Sequence, residues 1–554
     1  MKKFLIVAFA ALGFVACNDN NLDDVNNGGF TGEVETSYIA INLNAAENGT
    51  RADGGKYQDG LEAERAVNAA YFFFFDPEGN AFPVTGNPAT EPGGTVNWIS
   101  ANLTDINTAE TSTNVSDIKD AVLVLSTYKG TYPAQIVAVL NWAPENGKAY
   151  SLNDLYDATN IKGVDNGFVM SNAVYSDGTN AVVGTPITAA DIHKSKADAL
   201  ANPITIHVER IAAKVTVTAK NGVENNCYFV KTANISGVDT DVYVQVTGWE
   251  LHNDFTQSKL LKDIDPTWNA NVLGFTWNDS PYYRCYWAES LAIGDIGTNG
   301  FPTAFGLKLG SAANVTAGTY ADDTYTYVGE NTNYVVDNIN NVVNTDACTK
   351  VIIKAKLQKE VSVGNYEDLP MTRWYTTYYA SLKDLLTAVA STIKYQYYWY
   401  ADNKYNYITP EDLTVVKVDN WVKFALSDSG KEKNWFVNAA GGYEAKTKDQ
   451  INESLAKIEK ALYYESGDTL YSVDIKHLGN GTANAHKAGD YGVVRNHIYN
   501  VILNSFGGFG SPVYVPEDGI LEYPEDPTST GEYVSAEVRI LSWRLVSQEV
   551  DVQP

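Results

Sequence analysis

The sequence predicts a mainly β fold: two tandem β-sandwich-like domains, a few short helices and a tethered strand at the C-terminal end. Three observations carry that expectation. The 554 residues include 36 Tyr and 43 Gly but only 3 Met, a composition of strands and turns rather than of helices. Apolar and polar residues alternate with a period of two over short runs, as in Tyr38–Asn44 and Tyr533–Ile540. The chain is long enough for roughly two to four domains, and with 44% hydrophobic and 19% charged residues it is not disordered on composition. Its formal net charge of −27 would repel nucleic acid and anionic lipid surfaces, which argues against both as partners.

The N-terminus reads MKKFLIVAFAALGFVAC. Lys2 and Lys3 precede an apolar stretch, Phe4 to Phe14, of signal-peptide length and too short to span a bilayer. Residues 1–16 are therefore expected to be a signal peptide. Cys17 follows Val15-Ala16 in the manner of a lipobox, with Phe14 where Leu is more usual, so Cys17 is the expected site of acylation. The alternative is an ordinary signal peptide with an incidental cysteine. No later segment has 18 consecutive apolar residues.

Tyr38–Asn44 places Ile39, Ile41 and Leu43 on one face, the pattern of a half-buried strand. It runs into Ala45–Gly55, rich in small, polar and turn-forming residues and so expected to be an exposed loop open to proteases. Arg51 is the first basic residue after Lys3, and the next arginine, Arg65, adjoins a strand expected over Ala66–Phe75. Cleavage by an arginine-specific or trypsin-like protease is expected between Arg51 and Ala52. Residues 17–51 then form a propeptide that carries the first strand.

Domains are expected over 52–213 and 214–506. Ile451, Leu455, Ile458 and Leu462 fall at helical spacing, and Tyr379–Ile393 is a second candidate helix, each expected to cover a sheet. Tyr395–Tyr400 is the most aromatic stretch. Buried strands, a tyrosine-lined interface and stacking on sugars all fit it. The four cysteines, 17, 227, 285 and 348, contain no C-x-x-C pair, and the last three allow at most one disulfide.

Catalytic signatures are missing. The six histidines form no H-E-x-x-H, and there is no G-x-S-x-G or phosphate loop. His497 lies in an apolar strand pattern and reads as a core histidine. Asp402–Asn406 lacks the glycine and distal glutamate of a calcium loop. No enzyme, cofactor or metal is expected.

Residues 507–532 hold four prolines and six acidic residues, the composition of an extended, solvated linker. Beyond it, Val534, Ala536, Val538 and Ile540 alternate in one phase, Leu541, Trp543 and Leu545 in the other, and Val546, Val550 and Val552 return to the first. Two phase slips imply bulges or a change of sheet. A long strand on a tether invites pairing with another chain; the other reading is that residues 533–554 fold back onto their own domain.

Taken in order along the chain, these pieces resemble the fimbrial subunits of the Bacteroidales FimA/Mfa-like group, most closely the shaft-forming major subunit of the short fimbria. The resemblance rests on the leader ending Phe14-Val15-Ala16-Cys17, the loop Thr50–Gly54 and the run Ile206–Val215. Towards the C-terminus it rests on Val494–Val501, the Pro-rich linker, and Ser535–Val538 with Leu541–Trp543 before Glu549–Asp551. The polar, acidic residues after Cys17 are similar to the tag that sends lipoproteins of that phylum outward. The resemblance implies two transthyretin-like β-sandwich domains and a type V pilus on the cell surface, its precursor tethered to the outer membrane through lipid. It implies that proteolysis removes the strand holding Ile39, Ile41 and Leu43, and that the next subunit's C-terminal strand fills the vacated groove. Implied partners are identical subunits, anchor and tip subunits, the processing protease and surface receptors, with adhesion and biofilm formation as the outcome. The rival readings are a tip or accessory adhesin and a surface glycan-binding lipoprotein.

Overall fold

The structure is a computed structural model. It describes residues 34–44, 57–58, 64, 66–84, 96–101, 104–105, 118–128, 131–161, 163, 167–177, 179–220, 227–264, 283–284, 287–292, 306–308, 316–317, 325–333, 335–337, 342–344, 347–418, 420–477, 491–512, 520–522 and 534–543. The chain is mainly β, as its composition and period-two runs require, with side chains gathered into three principal cores.

The first core is built on β1 (Val34–Asn44), β3 (Ala70–Phe75), β4 (Trp98–Ala101), β5 (Thr104–Asp105), β6 (Ile118–Tyr128), β7 (Gln135–Leu140), β8 (Met170–Asn172) and β9 (Ile204–Arg210). They follow the order β4-β3-β7-β8-β9-β1-β6-β5. The expected strand over Ala66–Phe75 begins at Ala70, and Phe72 to Phe75 are all fully buried. Four consecutive buried aromatics mark a strand covered on both faces. A short helix, α1 (Lys196–Ala201), starts where the Ser195 hydroxyl accepts from Asp198 N–H and lies beside β1 and β6.

The second core lies between two sheets. One contains β10 (Ala212–Ala219), β13 (Tyr325–Gly329), β25 (His497–Phe506) and β27 (Val534–Trp543), with β25 parallel to β10 and antiparallel to β27. The other runs through β11 (Cys227–Ile235), β12 (Val238–His252), β14 (Lys350–Ser362) and β24 (Asp468–Asp474). Val215, Val217, Val501 and Leu503 from the first meet Val244, Ile353, Leu357 and Tyr471 from the second. This is the alternating inward face of a sandwich.

A third core, unforeseen in the sequence, gathers Trp374, Leu385, Val389, Ile393, Phe424, Trp435, Ile451 and Leu455. It joins β15 (Met371–Trp374), β19 (Leu413–Val418), β20 (Trp421–Leu426) and β23 (Ala461–Tyr464) to two helices, α2 (Leu382–Ile393) and α4 (Lys448–Leu455). Between them α3 (Asp428–Lys431) makes a single turn. Ser381 caps α2, and Thr447 with Gln450 forms a capping box on α4. The helical spacing of Ile451, Leu455, Ile458 and Leu462 is followed only as far as Leu455. Leu462 lies instead in β23, where it pairs with Arg373 and Trp421. Ladder pairing overrides the period of a short apolar run.

The expected linker also starts later than its composition suggests. Phe509 is fully buried, Ser511–Pro512 pairs with β24, and the Tyr471 and Tyr464 hydroxyls donate to Gly508 O and Gly510 O, each at 2.8 Å. Gly510 sits at φ +66, and a Cβ there would come within 2.4 Å of Thr469 Oγ1. The prolines and acids that define the linker lie mostly beyond residue 512.

Buried charge joins the first and second cores. Glu64, fully buried, accepts from Lys214 Nζ at 3.0 Å and from the Tyr327 hydroxyl, while Arg210 Nε donates to Glu64 O at 2.8 Å. Burial and the neighbouring Glu64 carboxylate hold the Tyr327 phenol far above its usual range. Beside it, Arg495 holds Glu330 with Nε at 3.2 Å and Nη2 at 3.0 Å and donates to the carbonyls of Leu260 and Lys259. Both side chains of that pair are fully buried. Removing one partner strands the other charge without water. Glu330→Ala is therefore expected to lower unfolding stability by about 3–5 kcal/mol in chemical denaturation, whereas removing the half-exposed Lys359–Glu367 pair leaves the midpoint essentially unchanged.

Candidate assembly interface

β1 is an interior strand with both edges paired. On one side it pairs antiparallel with β6 along its whole length, from Val34↔Tyr128 to Asn44↔Ile118. On the other it pairs parallel with β9, from Ile41↔Ile204 to Asn44↔His207. Ile39 and Ile41 are fully buried, among Leu123 and Leu125 of β6 and Ile206 and Val208 of β9. Ser37, on the same face, and Ala40, on the opposite one, are also buried. The expected strand over 38–44 thus extends back to Val34 and is covered on both faces. Leu43 lies at the register position between Lys119 and Ile206.

The geometry around β27 is different. Its inner edge pairs antiparallel with β25 from Phe506↔Val534 to His497↔Ser542, with one irregularity between Leu503 and Ser505. Among the described residues, its outer edge meets only β2 (Tyr57–Gln58), at Tyr57↔Ser542 and Gln58↔Trp543. Val534, Ala536, Val538, Ile540, Leu541 and Trp543 are therefore all on a strand laid against their own chain. The ladder passes Ile540 and Leu541 without a break, so the first expected phase slip produces no bulge. A ladder already in register holds the backbone straight whichever way the apolar pattern turns. Leu545, Val546, Val550 and Val552 lie outside the described residues, as do Cys17, Arg51 and Ala52.

Residues 45–56, which contain Arg51, connect the end of β1 to β2, and Glu64 a few residues further on is the residue gripped by Lys214, Tyr327 and Arg210. Sequence reasoning missed this arrangement. Its one visible signal was charge inside apolar strands: Glu209, Arg210 and Lys214 interrupt a run that is otherwise built for burial.

Elsewhere the chemistry is quiet. His497 is buried with Nδ1 2.7 Å from Arg495 O, and His477 Nδ1 lies 2.8 Å from the Tyr499 hydroxyl. These are satisfied core histidines, as the strand pattern around His497 suggests. Cys348 is buried with its Sγ donating to Asn333 O at 2.8 Å, and burial pushes the Cys227 thiol up to about 11. Among the described residues, no group of three or more His, Cys, Asp or Glu is placed to hold a metal ion.

Residues 462–549 match the family model "Major fimbrial subunit protein type IV, Fimbrillin, C-terminal", a span that includes β24, β25 and β27. Among solved structures, the chain is similar to a protein of Parabacteroides distasonis described as a cell adhesion protein (14% identity, 92% of this chain and 100% of that one, TM-score 0.37). It is also similar to a fimbrilin, FimA, of Porphyromonas gingivalis (14% identity, 92% and 99%, TM-score 0.32). A third is the tip fimbrial protein Mfa3 of Porphyromonas gingivalis (12% identity, 92% and 100%, TM-score 0.27). A comparison with curated proteins gives no match. The match over residues 462–549 agrees with the resemblance to fimbrial subunits of the Bacteroidales.

Proposed function

We propose that the chain is the shaft subunit of a cell-surface fimbria. It is exported as a precursor acylated at Cys17, cleaved between Arg51 and Ala52, and polymerised by exchange of its C-terminal strand. The mature chain divides near residue 213 into an N-terminal domain that accepts a strand and a C-terminal domain that donates one. The observation that carries this reading is the contrast between the two strands. β1 fills a slot with two edges and lies upstream of Arg51, whereas β27 is almost as long but has one fully paired edge.

Losing β1 exposes backbone groups along β6 and β9 and the walls around Ile39 and Ile41. Each such isoleucine accounts for about 1.5–3 kcal/mol of burial. A strand entering that slot recovers the eleven-pair ladder with β6 and the four-pair ladder with β9, where β27 has nine pairs with β25 and two with β2. Main-chain hydrogen bonds supply affinity and the alternating side chains set register. Five or six buried aliphatic residues from Val534, Val538, Ile540, Leu541, Leu545, Val546, Val550 and Val552 give on the order of 10 kcal/mol gross, less the cost of ordering. Donor and acceptor are different surfaces, so the contact is heterologous and grows a filament rather than closing on itself.

Processing acts on both ends at once in this scheme. Cleavage in residues 45–56 separates the strand in the acceptor slot from β2, which stays anchored through Glu64 and touches the outer edge of the donor. Tip and anchor subunits would end the filament, and its adhesion and biofilm roles would come from presenting many subunits away from the cell.

Low-dose trypsin on the purified precursor is expected to produce fibres visible by electron microscopy. Arg51→Ala is expected to stay monomeric, and a chain truncated after Glu532 to be cleaved without polymerising. Fibres from both variants would overturn the reading. Cys17→Ala is expected to abolish acylation, seen as loss of labelled palmitate, and to remove surface fimbriae; normal surface fimbriae from that variant would refute the lipoprotein route.

A further inference from the structure

Outside the proposed assembly site, β17 (Tyr397–Ala401), β18 (Lys404–Tyr407), β21 (Trp435–Ala439) and β22 (Gly442–Lys446) form a four-stranded sheet in the order β18-β17-β21-β22. Asp402 and Asn403, both at positive φ, make the tight turn joining the first two. One face of this sheet supplies Tyr397, Trp399, Trp435 and Val437 to the third core. Register places Tyr398, Tyr400, Tyr405, Tyr407, Phe436, Asn438 and Tyr443 together on the other face. The tyrosines there are in ring contact. Tyr395 meets Tyr407 edge-on at 5.3 Å, Tyr398 meets Tyr443 at 4.8 Å, and Tyr405 stacks on Tyr443 at 3.8 Å. Tyr395, Tyr400, Tyr405, Tyr407 and Tyr443 are nonetheless exposed, Tyr395 by 63%.

A cleft of about 500 Å³ lies at the edge of the sheet, between the inward-facing Tyr397 and Val437 and helix α4, and it meets the tyrosine face only at Tyr395 and Asn438. Tyr395, Asn438, Lys446, Gln450 and Glu453 line it. The Asn438 amide is already oriented, with Nδ2 donating to Tyr395 O at 3.0 Å and to the Tyr398 hydroxyl at 3.1 Å. Gln450 is fixed through its Oε1, which accepts from Thr447 N–H at 3.0 Å. Lys394 Nζ, 4.9 Å from the Tyr407 ring centre, steadies the tyrosines from the side.

We propose that this tyrosine face and its cleft bind a neutral oligosaccharide. Aromatic faces offer an apolar platform for the C–H faces of pyranose rings, and preset amides with one carboxylate and one ammonium match hydroxyls that both donate and accept. The volume falls within the range of small-ligand pockets. A chain of net charge −27 disfavours an anionic ligand. A stable protein interface buries about 800 Å² per side around an apolar core, whereas Val437 of this sheet is turned inward.

Isothermal titration of the full-length, unprocessed chain with triacetylchitotriose, cellotriose, mannotriose and β-1,4-galactotriose tests the proposal without requiring assembly. At least one is expected to bind with Kd near or below about 1 mM. Tyr395→Ala and Asn438→Ala are each expected to weaken it about tenfold with thermal unfolding unchanged, and Tyr375→Ala, an exposed tyrosine outside the cleft, to leave it intact. Failure of all four sugars to bind, or binding insensitive to both cleft variants, overturns the proposal. So does capture of a protein through this face with no sugar bound.

Discussion

A β-strand paired on both edges cannot leave its sheet without leaving two rows of backbone donors and acceptors unpaired, and unpaired buried backbone is costly. β1 is such a strand, held between β6 and β9 with Ile39 and Ile41 fully buried. The rest of the proposed account follows from that constraint. A protease that cuts downstream of β1 turns a structural strand into a removable one, and the slot it occupied can be satisfied only by another strand of similar length. β27 has that length, and among the described residues its outer edge pairs only with the two residues of β2.

The buried charges at the junction give this exchange a fixed frame. Arg495 with Glu330, and Glu64 with Lys214, sit where the first and second cores meet. Ion pairs of this kind add little net stability over an apolar equivalent, yet breaking one is severe. Their value lies in geometry: they determine where residue 64 sits against Lys214, Arg210 and Tyr327.

Much of this was legible in the residues. The alternation of Ile39, Ile41 and Leu43 marked β1, the run Ala66–Phe75 marked a strand, and Val534–Ile540 marked the C-terminal strand. What the sequence hid was long-range. Leu462 has helical spacing but pairs in a ladder, because its neighbours are strands. Phe509 belongs by composition to a linker but fills a hole beside Tyr471. The tyrosines of Tyr395–Tyr400 could have been core or surface. Only the register of β17, β18, β21 and β22 separates Tyr397 and Trp399, turned inward, from Tyr398 and Tyr400 on the other face.

An outward tyrosine face on a sheet separate from the donor and acceptor strands would leave recognition independent of polymerisation, so a filament could repeat it at every subunit. Whether polymerisation itself runs by strand exchange is decided most directly by electron cryomicroscopy of filaments grown from processed subunits. The account predicts density between β6 and β9 that is continuous with the C-terminus of the neighbouring subunit, with residues 34–44 gone. A filament in which residues 34–44 still occupy that slot, or in which residues 534–543 still lie on their own β25, would contradict it.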